Sequence, residues 1–320
     1  MTDSGANRWT RPAVILVATD LSDLDRLMPF ALEQAAQTGA RLLLLHAIAS
    51  STSLSVDAVG MPYYDPSAAL EFAEKSLKPW CEAARRRNII CDGLVREGRA
   101  VQQIATAARQ FNADRILLGT RSRSRLGKLL LGSVAEQVLR SVNLPVITVG
   151  PEAHLAVRSG YEEQVVLHAT TLRETSRPSA ALGCQVAAGL NAKLVLLHVL
   201  PPIDEMQRDG QQTGLDSAAL QELRALATET AAGSGLDNQL EVEPMVVHGN
   251  PFIEILAEAS ARRACLIVLG ASQRSAFENL TRDRTVYRVL AHARCPVLTL
   301  REPLETASEA TQEQMTALHG

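Results

Sequence analysis

The feature that most constrains this chain is an internal duplication. When the sequence is shifted by 151 positions, residues 14–19 fall on 165–170 and residues 116–119 fall on 267–270. A period of this length corresponds to a whole domain, because the repeats of solenoid proteins are much shorter. The 320 residues therefore contain two copies of one fold, and each copy is long enough to bury a core of its own.

Each copy alternates short apolar runs with stretches of helical periodicity. In the first copy the pattern predicts strands at 14–19, 41–48, 89–96, 115–119 and 145–149, and helices at about 22–38, 67–88, 100–111 and 133–142. The strand runs are apolar throughout, which is typical of a parallel sheet covered by helices on both faces. The predicted fold class is α/β, with two tandem, doubly wound, open, parallel five-stranded sheets of Rossmann-like type. In such sheets ligands bind at the carboxyl ends of the strands, where the strand order reverses.

The repeat and the polar stretches suggest the domain boundaries. We predict a first domain at 1–152, a second at 162–302 and a polar tail at 303–320. Residues 49–65 and their polar counterpart 203–216 are predicted loops. A loop as long as the first of these could be a lid over a site or could be disordered.

Composition excludes several classes of function. A formal net charge of -3 gives no basic field for nucleic acid, and no apolar run reaches the roughly 20 residues that cross a bilayer. The five cysteines show neither paired metal-ligand spacing nor a disulfide framework. The polar N-terminus argues against a cleaved signal, so we expect a cytoplasmic protein with structural thiols.

The stretch from Gly119 to Ser133 is the most informative candidate site. It leaves a predicted strand, crosses a basic loop and enters a predicted helix at Ser133. Gly119 lets the backbone turn, and the amides of Gly132 and Ser133 are expected to be free at a helix N-terminus, where an anion is favoured. Four basic side chains add positive charge, namely Arg121, Arg123, Arg125 and Lys128. The loop could therefore bind phosphate, or it could be an exposed loop with solvated arginines.

This stretch resembles the signature of the universal stress proteins, Gly-x2-Gly-x9-Gly-[Ser/Thr]. Here it reads Gly119-x2-Ser122-x9-Gly132-Ser133, and the similarity extends over nearly all of both copies. The resemblance implies an adenine nucleotide alpha hydrolase-like fold and a site for ATP, or a related adenine nucleotide with or without Mg²⁺, in the first copy. In nucleotide-binding members the loop holds the phosphates and ribose, an Asp after the first strand reaches the adenosine, and backbone near the end of the second strand lies against adenine. The residues that this assigns to the site are Ala18, Thr19, Asp20, Ala47, Gly98, Gly119, Arg121, Ser122, Gly132, Ser133 and Val134.

Two of these assignments have competing interpretations. Ser122 stands where the family motif has a glycine. If that position needs a positive φ, serine adds strain, whereas if it needs only an amide donor, serine serves. Asp20 by itself could be no more than a helix cap.

The second copy departs from the motif. Asp283 stands where the first copy has Gly132, and Thr171 stands where it has Asp20. A carboxylate in a phosphate loop repels a phosphate, so we predict a structural or partner-binding copy. His46 and His198 end equivalent strands, and we expect them to share a structural hydrogen bond rather than a catalytic role.

No set of nucleophile, base and orienting residue can be assembled from the sequence, so we predict no dedicated enzyme and at most slow ATP hydrolysis. The leading hypothesis is a stress-response protein that changes shape or partner with its nucleotide state. The alternative is a nucleotide-free scaffold that acts by protein–protein interaction.

By resemblance, the fifth strands, 145–149 and 296–300, are expected to pair the two halves as an intramolecular pseudo-dimer. A homodimer of whole chains is also plausible.

Overall fold

In the computed structural model, the described residues are 11–48, 65–120, 131–153, 163–202, 211–233, 240–271 and 283–302. Contacts divide the chain into two compact units, residues 1–162 with 290–298 and residues 163–289 with 299–320. The predicted loop 49–65 lies almost wholly outside the described residues, and so does the tail. The domain boundaries remain a prediction.

The first half is a parallel α/β sheet in the strand order β3-β2-β1-β4-β5. Its elements are β1 (Val14–Ala18), α1 (Leu24–Thr38), β2 (Arg41–Ile48), α2 (Pro66–Arg85), β3 (Cys91–Glu97), α3 (Ala100–Gln110), β4 (Arg115–Gly119), α4 (Ser133–Ser141) and β5 (Val146–Val149). β1 is buried along its whole length, as a central strand covered on both faces should be. The strand order reverses between β1 and β4, so the predicted switch point lies at their carboxyl ends.

The second half repeats this arrangement in the order β10-β9-β6-β7-β8. Its elements are β6 (Val165–Ala169), a 3₁₀ turn (Glu174–Ser176), α5 (Arg177–Leu190), β7 (Lys193–Leu200), α6 (Gln211–Gly233), β8 (Val242–His248), α7 (Pro251–Ala261), β9 (Leu266–Ala271), α8 (Asp283–His292) and β10 (Val297–Arg301). The fold class is confirmed. The predicted loop 203–216 was too long, since α6 begins at Gln211.

In the first half, β3 departs from the expectation of continuous apolar runs. β3 is an edge strand of the first half, and Asp92, Gly93 and Glu97 on it are exposed. An edge strand has a neighbour on one side only, so polar residues on it cost little. The adjacent strand β2, by contrast, buries Leu42 to Leu45 without interruption.

Candidate functional site

A cavity of about 280 Å³ opens at the carboxyl ends of the first-half strands. Residues 18–20 after β1, 45–47 near the end of β2, Gly119 at the end of β4 and 132–135 at the start of α4 contribute to its wall. Ala100 and Ile104 of α3 add an apolar side. The cavity therefore lies at the switch point, where a doubly wound sheet places ligands.

Most of the residues assigned from the sequence meet in this cavity. Those that line it are Ala18, Thr19, Asp20, Ala47, Gly119, Gly132, Ser133 and Val134. Gly98 is not among the lining residues, but its turn leads directly to Ala100, which is. Arg121 and Ser122, like the other basic residues of the loop, lie outside the described residues. The role of each residue in binding remains a prediction.

The N-terminus of α4 presents backbone donors to the cavity. Gly132 occupies the N-cap position with φ -64° and ψ 144°, and no side chain caps the helix there. The first amides of a helix lack acceptors within it, and the helix dipole is positive at this end. The expectation of a free Gly132 amide was wrong, because its N–H donates to the carbonyl of Thr120 at 2.8 Å. Within the described part of α4, the first-turn amides left for a ligand are therefore those of Ser133, Val134 and Ala135.

The turn after β1 positions Asp20 at the cavity rim. Leu21 has a φ of 72°, which is uncommon for a residue with a side chain, and its amide donates to Thr19 Oγ1 at 2.9 Å. Asp20 is exposed, and its Oδ1 accepts hydrogen bonds from the amide and hydroxyl of Ser22. It does not cap a helix, since α1 begins at Leu24 with Asp23 at the N-cap position. Among the described residues the hydrogen bonds to Asp20 come from Ser22 and reach Oδ1, so Oδ2 can accept one from a ligand.

Asp23 is a wall residue that the sequence interpretation missed. It is only 6% exposed, and its Oδ1 accepts from the hydroxyl of Thr19 at 2.5 Å. Burial raises the pKa of the Asp23 carboxyl above its ordinary value, and the Thr19 hydrogen bond opposes that shift. A Cβ at Gly119 would overlap this carboxylate, which explains the glycine there. The only signal in the sequence was the spacing of Thr19 and Asp23, four residues apart.

His46 supports the same turn from β2. Its Nδ1–H donates to the carbonyl of Thr19 at 2.9 Å. In the second half His198 makes the same bond to Thr170, also at 2.9 Å. The prediction of a shared structural hydrogen bond is confirmed.

In the second half a different acidic residue, Glu302, lies beside the glycine that corresponds to Gly119. Gly270 corresponds to Gly119, and a Cβ on it would overlap the carboxylate of Glu302, which is 6% exposed. Glu302 accepts a hydrogen bond from Ser179 at 2.9 Å. Asp283 is the first residue of α8. The second half therefore buries an acid of its own beside Gly270, near the end of its fourth strand.

Membrane-spanning helices and clustered metal ligands are both absent from the described part of the chain. None of its helices combines the length and apolar character that crossing a bilayer requires. The same residues contain no group of three or more His, Cys, Asp or Glu side chains arranged to hold a metal ion.

Comparison with known proteins identifies the family. The sequence model of the universal stress protein family matches residues 13–150 and again 164–301. A universal stress protein of Mycolicibacterium smegmatis is 25% identical over 304 residues, which cover 90% of this chain and 96% of the relative. One from Thermus aquaticus is 34% identical over 137 residues, 42% of this chain and 96% of the relative. The crystal structure of a universal stress protein from Archaeoglobus fulgidus superimposes with a TM-score of 0.67 at 22% identity, covering 90% of this chain and 96% of that one. The chain belongs to the universal stress protein family and carries two of its domains in tandem.

Proposed function

We propose that the first half binds one adenine nucleotide, ATP or a close relative, in the cavity between β1, β2 and the start of α4. We further propose that the protein acts in the cytoplasmic stress response, through a conformation or a partner that depends on the bound nucleotide. The observation that carries the proposal is the meeting of an uncapped helix N-terminus, an acidic rim residue and an apolar wall in one cavity.

The start of α4 is the part of the cavity suited to phosphate. Ser133 and Val134 are exposed there, so phosphate oxygens can reach the first-turn amides without displacing core side chains. Amides at a helix N-terminus and the dipole behind them favour an anion. The Ser133 hydroxyl supplies one more donor.

The opposite part of the cavity is suited to adenosine. Leu45, Ala47, Ala100 and Ile104 give an apolar surface against which a purine can lie. Oδ2 of Asp20 can accept a hydrogen bond from a ribose hydroxyl. A volume of about 280 Å³ is near the lower limit for small-molecule pockets, which fits a nucleoside with its phosphates directed outwards to α4.

Magnesium, if it accompanies ATP, would be bound mainly by the phosphates and water. This follows from the absence of a carboxylate cluster among the described residues and from the habit of Mg²⁺ of keeping several waters.

Calorimetric titration of the full chain with ATP tests the proposal. We expect a single site with an affinity in the micromolar range, about -8 kcal/mol. Mass spectrometry of small molecules released from the purified protein should identify an adenine nucleotide. Absence of binding heat at millimolar ATP, together with no released nucleotide, would refute it.

A second candidate is a scaffold that acts through its surfaces without nucleotide. The buried Glu302 beside Gly270 favours this role for the second half.

We also propose that the fifth strands, β5 and β10, pair the two halves as an intramolecular pseudo-dimer. Small-angle scattering should then give a radius of gyration of about 20 Å, the value for one compact body of this length. A much larger radius would contradict the pairing, and light scattering would reveal a homodimer.

A further inference from the structure

Two cysteines that are unremarkable in the sequence meet inside the first half. Cys81 lies on α2 and Cys91 begins β3, and their Sγ atoms are 3.4 Å apart. They are 5% and 1% exposed, and both are free thiols. The covalent S–S distance is about 2.05 Å, so closing the pair requires a relative shift of roughly 1.4 Å.

The surroundings favour one sulfur as the nucleophile. The thiol of Cys91 donates to Sγ of Cys81, which lowers the pKa of Cys81 and raises that of Cys91. Arg85 lies one helical turn after Cys81, and its guanidinium donates to the carbonyl of Cys91 at 3.1 Å. A positive charge beside a thiol stabilises the thiolate, the reactive form.

The cysteine pair lies close to the edge of the first-half sheet. β3 is an edge strand of the first half, and Arg85 and Ile90 near the pair are exposed. The pair therefore lies at the edge of the first-half sheet, away from the core strands β1 and β4. Oxidation by a small peroxide requires the surrounding side chains to move aside.

We propose that Cys81 and Cys91 form a redox-active dithiol, which hydrogen peroxide or a small organic hydroperoxide oxidises to a disulfide between α2 and β3. The thiolate of Cys81 attacks the terminal peroxide oxygen and the O–O bond breaks. The leaving group is hydroxide from hydrogen peroxide, or alkoxide from an organic hydroperoxide, and it takes a proton and departs as water or as the alcohol. The sulfur of Cys91 then attacks the sulfenic acid on Cys81, the S–O bond breaks, and hydroxide leaves with the Cys91 proton as water. The sulfur pair loses two electrons and the peroxide gains them.

The disulfide would join α2 to the strand that leads, through the Gly98 turn, to the α3 wall of the cavity. This inference is independent of nucleotide binding, since it concerns sulfur chemistry alone.

Peroxide titration of the full-length protein tests it. Samples are quenched, alkylated after unfolding and mapped by mass spectrometry. We expect Cys81 and Cys91 to be lost from the alkylated pool together, with a mass decrease of about 2 Da that dithiothreitol reverses. Cys184 is the internal control, because it is fully buried beside the Thr230 hydroxyl and burial raises its pKa. Equal oxidation of Cys81 and Cys184 would overturn the proposal.

Variants separate the two sulfurs. In Cys91→Ser, Cys81 should accumulate as a sulfenic acid that dimedone traps, whereas in Cys81→Ser, Cys91 should stay reduced. Arg85→Gln should slow oxidation about three- to tenfold, because each unit of thiol pKa changes the thiolate fraction tenfold, and Arg85→Lys should restore much of the rate. Absence of dimedone labelling in Cys91→Ser, or no effect of Arg85→Gln, would contradict the assigned nucleophile.

Discussion

Replacing Gly132 with aspartate places a carboxylate at the phosphate end of the proposed site. Gly132 has φ -64° and ψ 144°, a conformation that any residue adopts. It is also the N-cap of α4, a position at which aspartate is preferred over glycine. The substitution should therefore keep the helix, or stabilise it by a few tenths of a kcal/mol. The second half carries Asp283 at the matching place.

The cost to nucleotide binding can be worked from the donors involved. A carboxylate at the cap accepts from the first-turn amides that the proposal assigns to phosphate. Two charge-assisted hydrogen bonds lost at about 1.5–3 kcal/mol each amount to roughly 3–6 kcal/mol. Repulsion between the carboxylate and the phosphate adds to this. The affinity for ATP should fall by a factor of about 10² to 10⁴.

Calorimetry with ATP measures this loss, and urea denaturation of the same samples checks the fold. Gly189→Asp is the matched control, because Gly189 lies on α5 of the second half and a Cβ there meets no atom within 4 Å. That variant carries the same added charge and should bind ATP like the wild type. Unchanged affinity in Gly132→Asp, with a normal unfolding midpoint, would show that phosphate does not use the start of α4.

Two other predictions concern buried polar groups. Gly119→Ala should cost about 1–3 kcal/mol of unfolding free energy, because its Cβ overlaps the carboxylate of Asp23, and the added substitution Asp23→Ala should recover part of it. If urea denaturation shows no recovery of the unfolding free energy in the double variant, the contact between position 119 and the Asp23 carboxylate is contradicted. Burial lowers the pKa of His168 from 6.5 to about 4, so the folded state binds fewer protons than the unfolded state in this range. The free energy of unfolding should therefore fall by roughly 3 kcal/mol between pH 6.5 and pH 4 because of this residue. His168→Val, which introduces the residue at the matching position of the first half, should flatten that part of the stability profile, and an unchanged acid slope would disprove the assignment.

Much of the fold could be predicted because its signals are local. Apolar runs such as 14–18 and 42–45 are typical of strands in a covered parallel sheet, and the sequence repeat gives each assignment a second, independent instance. The rule for switch points predicted a site at the carboxyl ends of the strands, whereas the individual site residues came from the resemblance to the universal stress protein signature.

What the sequence did not disclose depends on contacts between distant segments. The meeting of Cys81 with Cys91 arises from the packing of α2 on β3, and neither residue belongs to a recognisable spacing. The carboxylate of Glu302 lies beside Gly270, which is 32 positions earlier in the sequence. The bond from the Gly132 amide to the Thr120 carbonyl joins residues 12 positions apart, and local propensities do not report such a contact.

Hydrogen–deuterium exchange of the full chain, with and without saturating ATP, tests most directly whether one half alone binds nucleotide. We expect slower exchange at residues 18–21, 45–48 and 133–136, which surround the first-half cavity, and no change at 169–172 and 283–286 in the second half. Protection confined to the second half, or no protection in either, would contradict the account.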